Sequence, residues 1–419
     1  MPIFLLAVLS EKLYGWIKFR DSFKNMDMIS SLSSGFTNSL KDALGLGISI
    51  ITYAWMVDHW AVFEIKSTFL VYVVAFIVLD LAGYLGHLLS HKVNVLWNRH
   101  LIHHSSEEFN LACALRQSIS GIVNIFTIFL IPAAILGVPA TVIAVVAPLH
   151  LFAQFWYHTV YIGKMGFLEK FLVTPSHHRV HHAINPIYLD KNHGQIFIVW
   201  DKLFGTYQEE LPDVPPVYGI TRPVSTWNPI KINWGHLWLI IKDAWRAQSW
   251  YDKLRIWFMP TGWRPADVEA RFPVRKIEDV YNFKKYAPAA SKELIVWTWV
   301  QFTFTFVLIY TLFNNLMLIG FPNAIICGFF IVLGIYAYTE LMDRNPYAWV
   351  WETLRNVIGL GILVYMGNWF GVESAGNWMS YFLGAYFVVA TVVTAGFVVL
   401  DIRKAPVQEV ETVMDYSIS

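Results

Sequence analysis

Residues 68–90, TFLVYVVAFIVLDLAGYLGHLLS, run with a single formally charged side chain, Asp80. About 20 mostly apolar residues are what a helix needs to cross a bilayer. Comparable runs lie at 40–57, 119–136, 138–157, 294–320, 324–342, about 354–372 and 378–400. The opening MPIFLLAVLSEKLYGWI is shorter, lacks the basic start of a signal peptide, and reads as a truncated or half-inserted first segment. The expected fold is therefore all-α, a polytopic integral membrane helical bundle of eight or nine membrane segments. Composition agrees: 56% of residues are hydrophobic and only 15% charged, against roughly 25% charged in soluble domains. A net charge of +1 gives no global field for nucleic acid. Cys113 and Cys327 sit in apolar surroundings and form no C-x-x-C pair, so both read as buried free thiols.

Passing the chain back and forth through these runs sorts its basic residues. One face receives 16–41, 91–118, 158–293, 343–355 and the tail after 400. The opposite loops, 58–67, 137–139, 321–323 and 373–377, carry one basic residue, Lys66. The positive-inside rule puts the first face in the cytosol. The organisation expected is N-terminal membrane segments over 1–67, a core over 68–235, interfacial helices and linker over 236–293, a membrane bundle over 294–400 and a tail over 401–419. The stretch 236–258 mixes aromatic and basic residues and reads as a helix lying on the membrane, placed to roof a site.

The same threading gathers 11 of the 14 histidines at that cytosolic surface, in a helical cap. HLLSH supplies His87 and His91, four apart; HLIHH supplies His100, His103 and His104; HRVHH supplies His178, His181 and His182. Residues three or four apart share a helix face, so each triplet is expected to aim at a common point. Imidazole suits Fe, Zn, Cu and Ni. Eight such ligands exceed one ion's needs and fit two ions with about four each. His158 returns from the 119–157 hairpin to the same surface as a ninth candidate ligand. Around them, His177, His193, Glu107, Glu108 and Asp190 are candidates to hold ligand rings by the free nitrogen. Asn110, Arg116 and Gln117 follow HLIHH and are candidates for substrate or cofactor contact, or for turn capping. His150 lies deeper and reads as structural or ligand-supporting; His59 and His236 read as interfacial.

These motifs, with HKVN at 91–94, HHSSEEFNLACALRQS at 103–118, QFWYHT at 154–159, TPSHHRVHH at 174–182, DKNHG at 190–194, WDKLFGTY at 200–207 and VYGITRPVSTWNPIKI at 217–232, resemble the fatty acid hydroxylase / sterol desaturase superfamily of membrane di-iron enzymes. The likeness is nearest its alkylglycerol monooxygenase (glyceryl ether monooxygenase) branch. That resemblance implies two irons held by the eight motif histidines. It also implies O₂-dependent insertion of oxygen into a lipid C–H bond, next to the ether oxygen, giving fatty aldehyde and glycerol. Tetrahydrobiopterin is the reductant it implies. The chain departs from the pattern at Leu88, Lys92 and His193, where Arg, Glu and Tyr are common.

The chain shows no dinucleotide fingerprint, P-loop or C-x-x-C-H motif, so electrons are expected from a diffusible reductant or an electron-transfer protein. The partners are then a lipid drawn from the bilayer and O₂, in the endoplasmic reticulum of a eukaryote or the inner membrane of a bacterium. Two other readings remain open here. One is a sterol, fatty acyl or carotenoid hydroxylase or desaturase. The other is a metal transporter or sensor, which needs ionisable groups deep in several spans, whereas Asp80 is the clearest one.

Overall fold

The structure, a computed structural model, describes residues 2–18, 22–65, 68–372 and 377–402. Lys66, the loop residues 373–376 and the tail from 403 lie outside the described residues. The helices are α1 (Pro2–Ile17), α2 (Asn25–Ala43), α3 (Tyr53–Trp60), α4 (Thr68–Lys92), α5 (Asn94–His104), α6 (Ile131–Ile135), α7 (Ala140–Phe152), α8 (Pro175–His181), α9 (Val199–Phe204), α10 (Pro229–Arg246), α11 (Trp250–Arg255), α12 (Ala266–Arg271), α13 (Lys292–Asn314), α14 (Leu316–Ile319), α15 (Phe321–Met342), α16 (Ala348–Met366) and α17 (Asn377–Phe397). One parallel pair of two-residue strands joins β1 (Ile48–Ser49) to β2 (Val123–Asn124).

Among the described residues, four helices are long and apolar enough to cross a bilayer: Thr68–Lys92, Lys292–Asn314, Phe321–Met342 and Trp378–Ile402. The other expected segments take different forms. The run 40–57 is not one helix: α2 ends at Ala43, Gly45 adopts a φ of 63°, and Thr52 caps α3 by accepting from the Trp55 N–H. A left-handed glycine ends a helix because it lacks the Cβ that would clash there. The 119–157 hairpin holds only α6 and α7 as α-helix, both shorter than a span. Its turn falls at Gly137, as its Gly-Val-Pro predicts: φ is 72°, and a Cβ there would lie 2.0 Å from the Phe63 carbonyl oxygen. The run 354–372 is shifted, since α16 starts at Ala348 and buries Glu352, Arg355 and Asn356.

The chain divides into two compact units. The first comprises 1–23, 47–223 and 233–284; the second comprises 24–46, 224–232 and 285–419. In the first, α3, α4, α6 and α7 share a core around Met56, Ala75, Ala133, Val138 and Val142. Asp80, fully buried on α4, accepts from His150 Nε2 (2.7 Å), Trp200 Nε1 (2.8 Å) and the N–H groups of Ile196 (2.9 Å) and Phe197 (3.2 Å). It is the peg that ties the 196–200 segment to the long helix. Asp80→Ala strands four donors, and is expected to destabilise the protein by about 3–5 kcal/mol. A matching fall in the unfolding midpoint of purified protein, read by tryptophan fluorescence, checks this; an unchanged midpoint contradicts it.

The second unit packs α13, α15, α16 and α17 with α2. Phe36 stacks on Phe302 at 4.9 Å, and Ser33 Oγ meets Tyr338 Oη at 2.6 Å. The Arg355 guanidinium bonds Asn356 Oδ1 (2.7 Å) and lies 3.2 Å from Glu352, so the charges on α16 are paired inside the bundle.

Candidate metal centre

Three short pieces of helix in the first unit supply most of the imidazoles. The last two turns of α4 carry His87 and His91. The chain reverses through Val93, which is extended, and α5 then carries His100, His103 and His104. Thr174 caps α8, with Pro175 in its first turn, and this helix presents His178 and His181 with His182 as its C-cap. His158 arrives from the loop after α7.

All nine come together, in two groups. His87, His91, His100, His104 and His181 form one; His103, His158, His178 and His182 form the other. Within each group, one ring nitrogen from every residue lies within 4.8 Å of all the rest. The groups adjoin where the His104 ring stacks on His182, with centroids 4.4 Å apart. The triplets do not each aim at one point, as expected from spacing alone. Successive helical residues diverge by about 100°, so His100 and His104 face one group while His103 faces the other. The second triplet splits likewise, with His181 apart from His178 and His182.

The fatty acid hydroxylase family profile matches residues 72–206, which include all nine imidazoles. An alkylglycerol monooxygenase of Homo sapiens is 33% identical over 358 residues, 84% of this chain and 79% of its own length. One from Xenopus tropicalis is 30% identical over 364 residues, covering 86% and 80%. The chain belongs to the fatty acid hydroxylase family. More distantly, an ornithine lipid hydroxylase of Rhizobium tropici is 24% identical over 203 residues, 48% of this chain and 58% of its own. No solved structure matches. With its long apolar helices and these relatives, this family member is an integral membrane protein and a lipid oxidoreductase.

The family implies iron, and the donor set fits it. His87 Nδ1 donates to the His193 carbonyl (2.8 Å), His181 Nδ1 to the Lys191 carbonyl (2.9 Å) and His158 Nδ1 to the Phe155 carbonyl (3.3 Å). Each bond fixes a tautomer whose Nε2 lone pair faces the group. His100 Nε2 lies 2.9 Å from His87 Nε2 and 3.0 Å from His104 Nε2; His178 Nε2 lies 2.8 Å from His158 Nε2 and 3.0 Å from His182 Nε2. One proton cannot serve two such contacts at a single nitrogen. His91 Nε2 and His181 Nε2 are buried with no hydrogen-bond partner among the described residues. Converging lone pairs of this kind suit a nitrogen-preferring cation. Burial, reinforced by neighbouring imidazoles, holds His100, His104, His178, His181 and His182 well below the usual imidazole range, and burial brings His158 down to about 3. They are neutral at pH 7, the form that ligates metal.

The residues expected around the ligands fall in three places. The loop 190–193 does the most. Asp190 Oδ1 lies 3.3 Å from His91 Nδ1, and with the Lys191 and His193 carbonyls it meets the outer nitrogens of three of the five imidazoles in the first group. Lys92 Nζ bonds Asp190 Oδ2 at 2.8 Å, so the unusual cation after His91 faces a carboxylate. The His193 ring packs 4.8 Å from His91. His177 is turned instead to its helix cap, with Nδ1 3.4 Å from the Thr174 N–H nitrogen. Glu107 packs against Gly219, and the Glu108 N–H bonds Ser106 Oγ.

Asn110, Arg116 and Gln117 brace the segment after α5. Asn110 Nδ2 donates to the Ser22 carbonyl (2.8 Å), Arg116 Nη1 to Ser105 Oγ (2.8 Å) and Gln117 Nε2 to the Ala114 carbonyl (2.9 Å). His59 is exposed and stacks on Trp55. His236 is not at the surface: it is buried and donates from Nε2 to the Asn94 carbonyl (3.0 Å), because α10 packs its inner face on α5. The outer face of the 236–258 stretch is exposed at Trp245, Trp250, Tyr251 and Phe258.

Sequence reasoning overlooked Glu11, Asp201 and Arg179. Glu11, whose carboxyl burial raises to about 7, accepts from Thr159 Oγ1 (2.5 Å) and the Leu111 N–H (2.6 Å). Arg179 makes a two-pronged bond to Glu210 (2.8 and 2.7 Å) and donates to the carbonyls of Thr159 and Ile162, fixing the segment that delivers His158. The signal available for Arg179 was its place inside HHRVHH; Glu11 had none, because its partners are about 100 and 148 positions away.

Proposed function

We propose that the chain is a di-iron monooxygenase of ether lipids, with alkylglycerols as substrates. One oxygen atom of O₂ enters the C–H bond next to the ether oxygen. The other leaves as water, with two electrons and two protons from an external reductant, for which tetrahydrobiopterin is the candidate. The hydroxylated carbon is a hemiacetal, and it breaks to fatty aldehyde and glycerol. The substrate class follows the named relatives from Homo sapiens and Xenopus tropicalis. The observation that carries the reading is the pair of groups, five and four imidazoles, side by side.

In this reading, His87, His91, His100, His104 and His181 hold one iron and His103, His158, His178 and His182 the other. Bound iron supplies the activation of O₂ that side chains lack. The chain's own residues keep the imidazoles neutral, fix their tautomers through backbone carbonyls, and enclose the site against water. The core over 68–235 bears the chemistry, and the bundle over 294–400 anchors it. In the same reading the site lies at the cytosolic face, in the endoplasmic reticulum or a bacterial inner membrane, which the distribution of basic residues supports.

Purified protein is expected to hold about two irons per chain by elemental analysis. With alkylglycerol, O₂ and tetrahydrobiopterin it is expected to release fatty aldehyde, and with a metal chelator to release none. Hydroxylated sterol or acyl lipid without aldehyde would move the substrate to another branch of the family. Metal flux without any oxidised product would overturn the enzyme reading.

A further inference from the structure

Beside the first imidazole group lies a cavity of about 260 Å³. Its lining includes His91, His104, His181 and His182, and also Thr261 and Arg264. The volume is below the roughly 300–1,000 Å³ of pockets that enclose a whole drug-sized ligand. It suits the compact end of a lipid, with the chain extending beyond it.

Arg264 is buried, and its guanidinium is fixed by Asp243, with Nε 2.6 Å from Oδ2 and Nη2 2.9 Å from Oδ1. That leaves Nη1 buried with no hydrogen-bond partner among the described residues, and Thr261 Oγ1 is in the same position. Buried polar groups in folded proteins almost always have partners. Thr261 and Arg264, three residues apart, both line the one cavity, and their two unpartnered polar atoms call for oxygens from a ligand. The segment that carries them is registered to the imidazoles by backbone bonds. The Thr261 N–H donates to the Lys92 carbonyl (3.2 Å), and the Asn94 N–H donates to the Met259 carbonyl (2.9 Å). Thr261 and Arg264 are thus held at a set distance from the ends of α4 and α5.

The charge balance selects the ligand. Asp190 and Asp243 stand against Arg222, Arg264 and Lys276 on the lining, and Lys276 Nζ itself faces Glu269 at 3.4 Å. Such a nearly balanced wall favours a neutral hydroxyl group over a phosphate. We propose that Thr261 and Arg264 bind the glycerol hydroxyls of the substrate lipid, and so set which carbon of the chain faces the imidazole group. This rests on the ether-lipid reading given above.

The test uses full-length protein in detergent, with binding followed by the fluorescence of Trp97 and Trp263, which line the cavity. The probes are 1-O-hexadecylglycerol and hexadecyl methyl ether, which lacks the hydroxyls. Thr261→Val keeps the side-chain shape and is expected to weaken hexadecylglycerol about tenfold, the value of roughly one hydrogen bond. It should leave the methyl ether unchanged. Arg264→Lys keeps the charge opposite Asp243, removes the Nη1 donor, and should give a similar selective loss. Wild-type affinity of Thr261→Val for both probes overturns the proposal, as does an equal loss for both. Selective loss in Thr261→Val, with no aldehyde from the wild-type enzyme, would keep the glycerol site and remove the ether-cleavage reading.

Discussion

His100→Ala and His178→Ala should each lower turnover by about 10³ or more, and each should lower bound iron from about two per chain to about one. The two residues are chosen for their place in the geometry. His100 Nε2 faces both His87 and His104, and His178 Nε2 faces both His158 and His182, so each is central to its own group. A metal ion contributes several kcal/mol of charge stabilisation, and about 4 kcal/mol corresponds to about 10³ in rate. Elemental analysis and aldehyde release on the same preparations separate the outcomes. If both variants lose all iron, the groups bind cooperatively as one centre. If either keeps two irons and full turnover, the assignment of its group as a metal site is wrong.

What the sequence discloses here follows from distance along the chain. Imidazoles at i, i+3 and i+4 have to share a region of a helix surface, and the positions of HLIHH and HRVHH say so. How each triplet divides between two groups depends on helix phase and on where α5 meets α8, which spacing does not record. The acceptors that hold the rings are backbone carbonyls of Lys191 and His193. Any residue type carries a carbonyl, so composition cannot mark them. The DKN of DKNHG does mark the turn, for Asp190 and Asn192 both adopt a φ of 55°, and Asp and Asn tolerate that region best among residues with side chains.

Apolarity is an equally partial guide. The run 40–57 is greasy enough to span, yet Gly45 and Gly47 give no obstacle to a break and Thr52 offers a cap for a new helix. His236 is separated from Asn94 by 142 positions, so its burial against α5 is invisible locally and an isolated histidine in an aromatic stretch reads as interfacial. The Asp243–Arg264 pair is hidden in the same way, with 21 positions and the short helix α11 between its members. By contrast Glu352, Arg355 and Asn356 lie at i, i+3 and i+4 on α16, and their mutual bonds could be read from that spacing.

Asp201→Ala should lower turnover by about 10–100-fold without removing any imidazole. Asp201 is buried, and its Oδ1 accepts from the His193 N–H (2.7 Å) and Thr206 Oγ1 (2.6 Å), while Oδ2 accepts from the Gly194 N–H (2.7 Å). It thereby pins the end of the loop whose Asp190 side chain and two carbonyls meet His91, His181 and His87. Gly194 is part of the same device, since a Cβ there would lie 2.9 Å from Asp201 Oδ2 and 2.8 Å from the Phe197 carbonyl oxygen. Without the carboxylate, two buried N–H groups lose their acceptor, the loop relaxes, and the rings of the first group lose the bonds that set their tautomers. Loss of such outer partners typically costs 10–100-fold in metal affinity or activity. The second group has anchors outside this loop: His158 is set by Phe155, and α8, which also takes a bond from Asn192 Nδ2 at the His177 carbonyl (3.1 Å), is tied by Arg179 to Glu210. The variant should therefore lose iron from one group alone, falling towards one per chain as iron in the buffer is lowered, and excess iron should restore part of the turnover. Retention of both irons at the lowest concentration, with unchanged turnover, would show that the loop does not position the imidazoles.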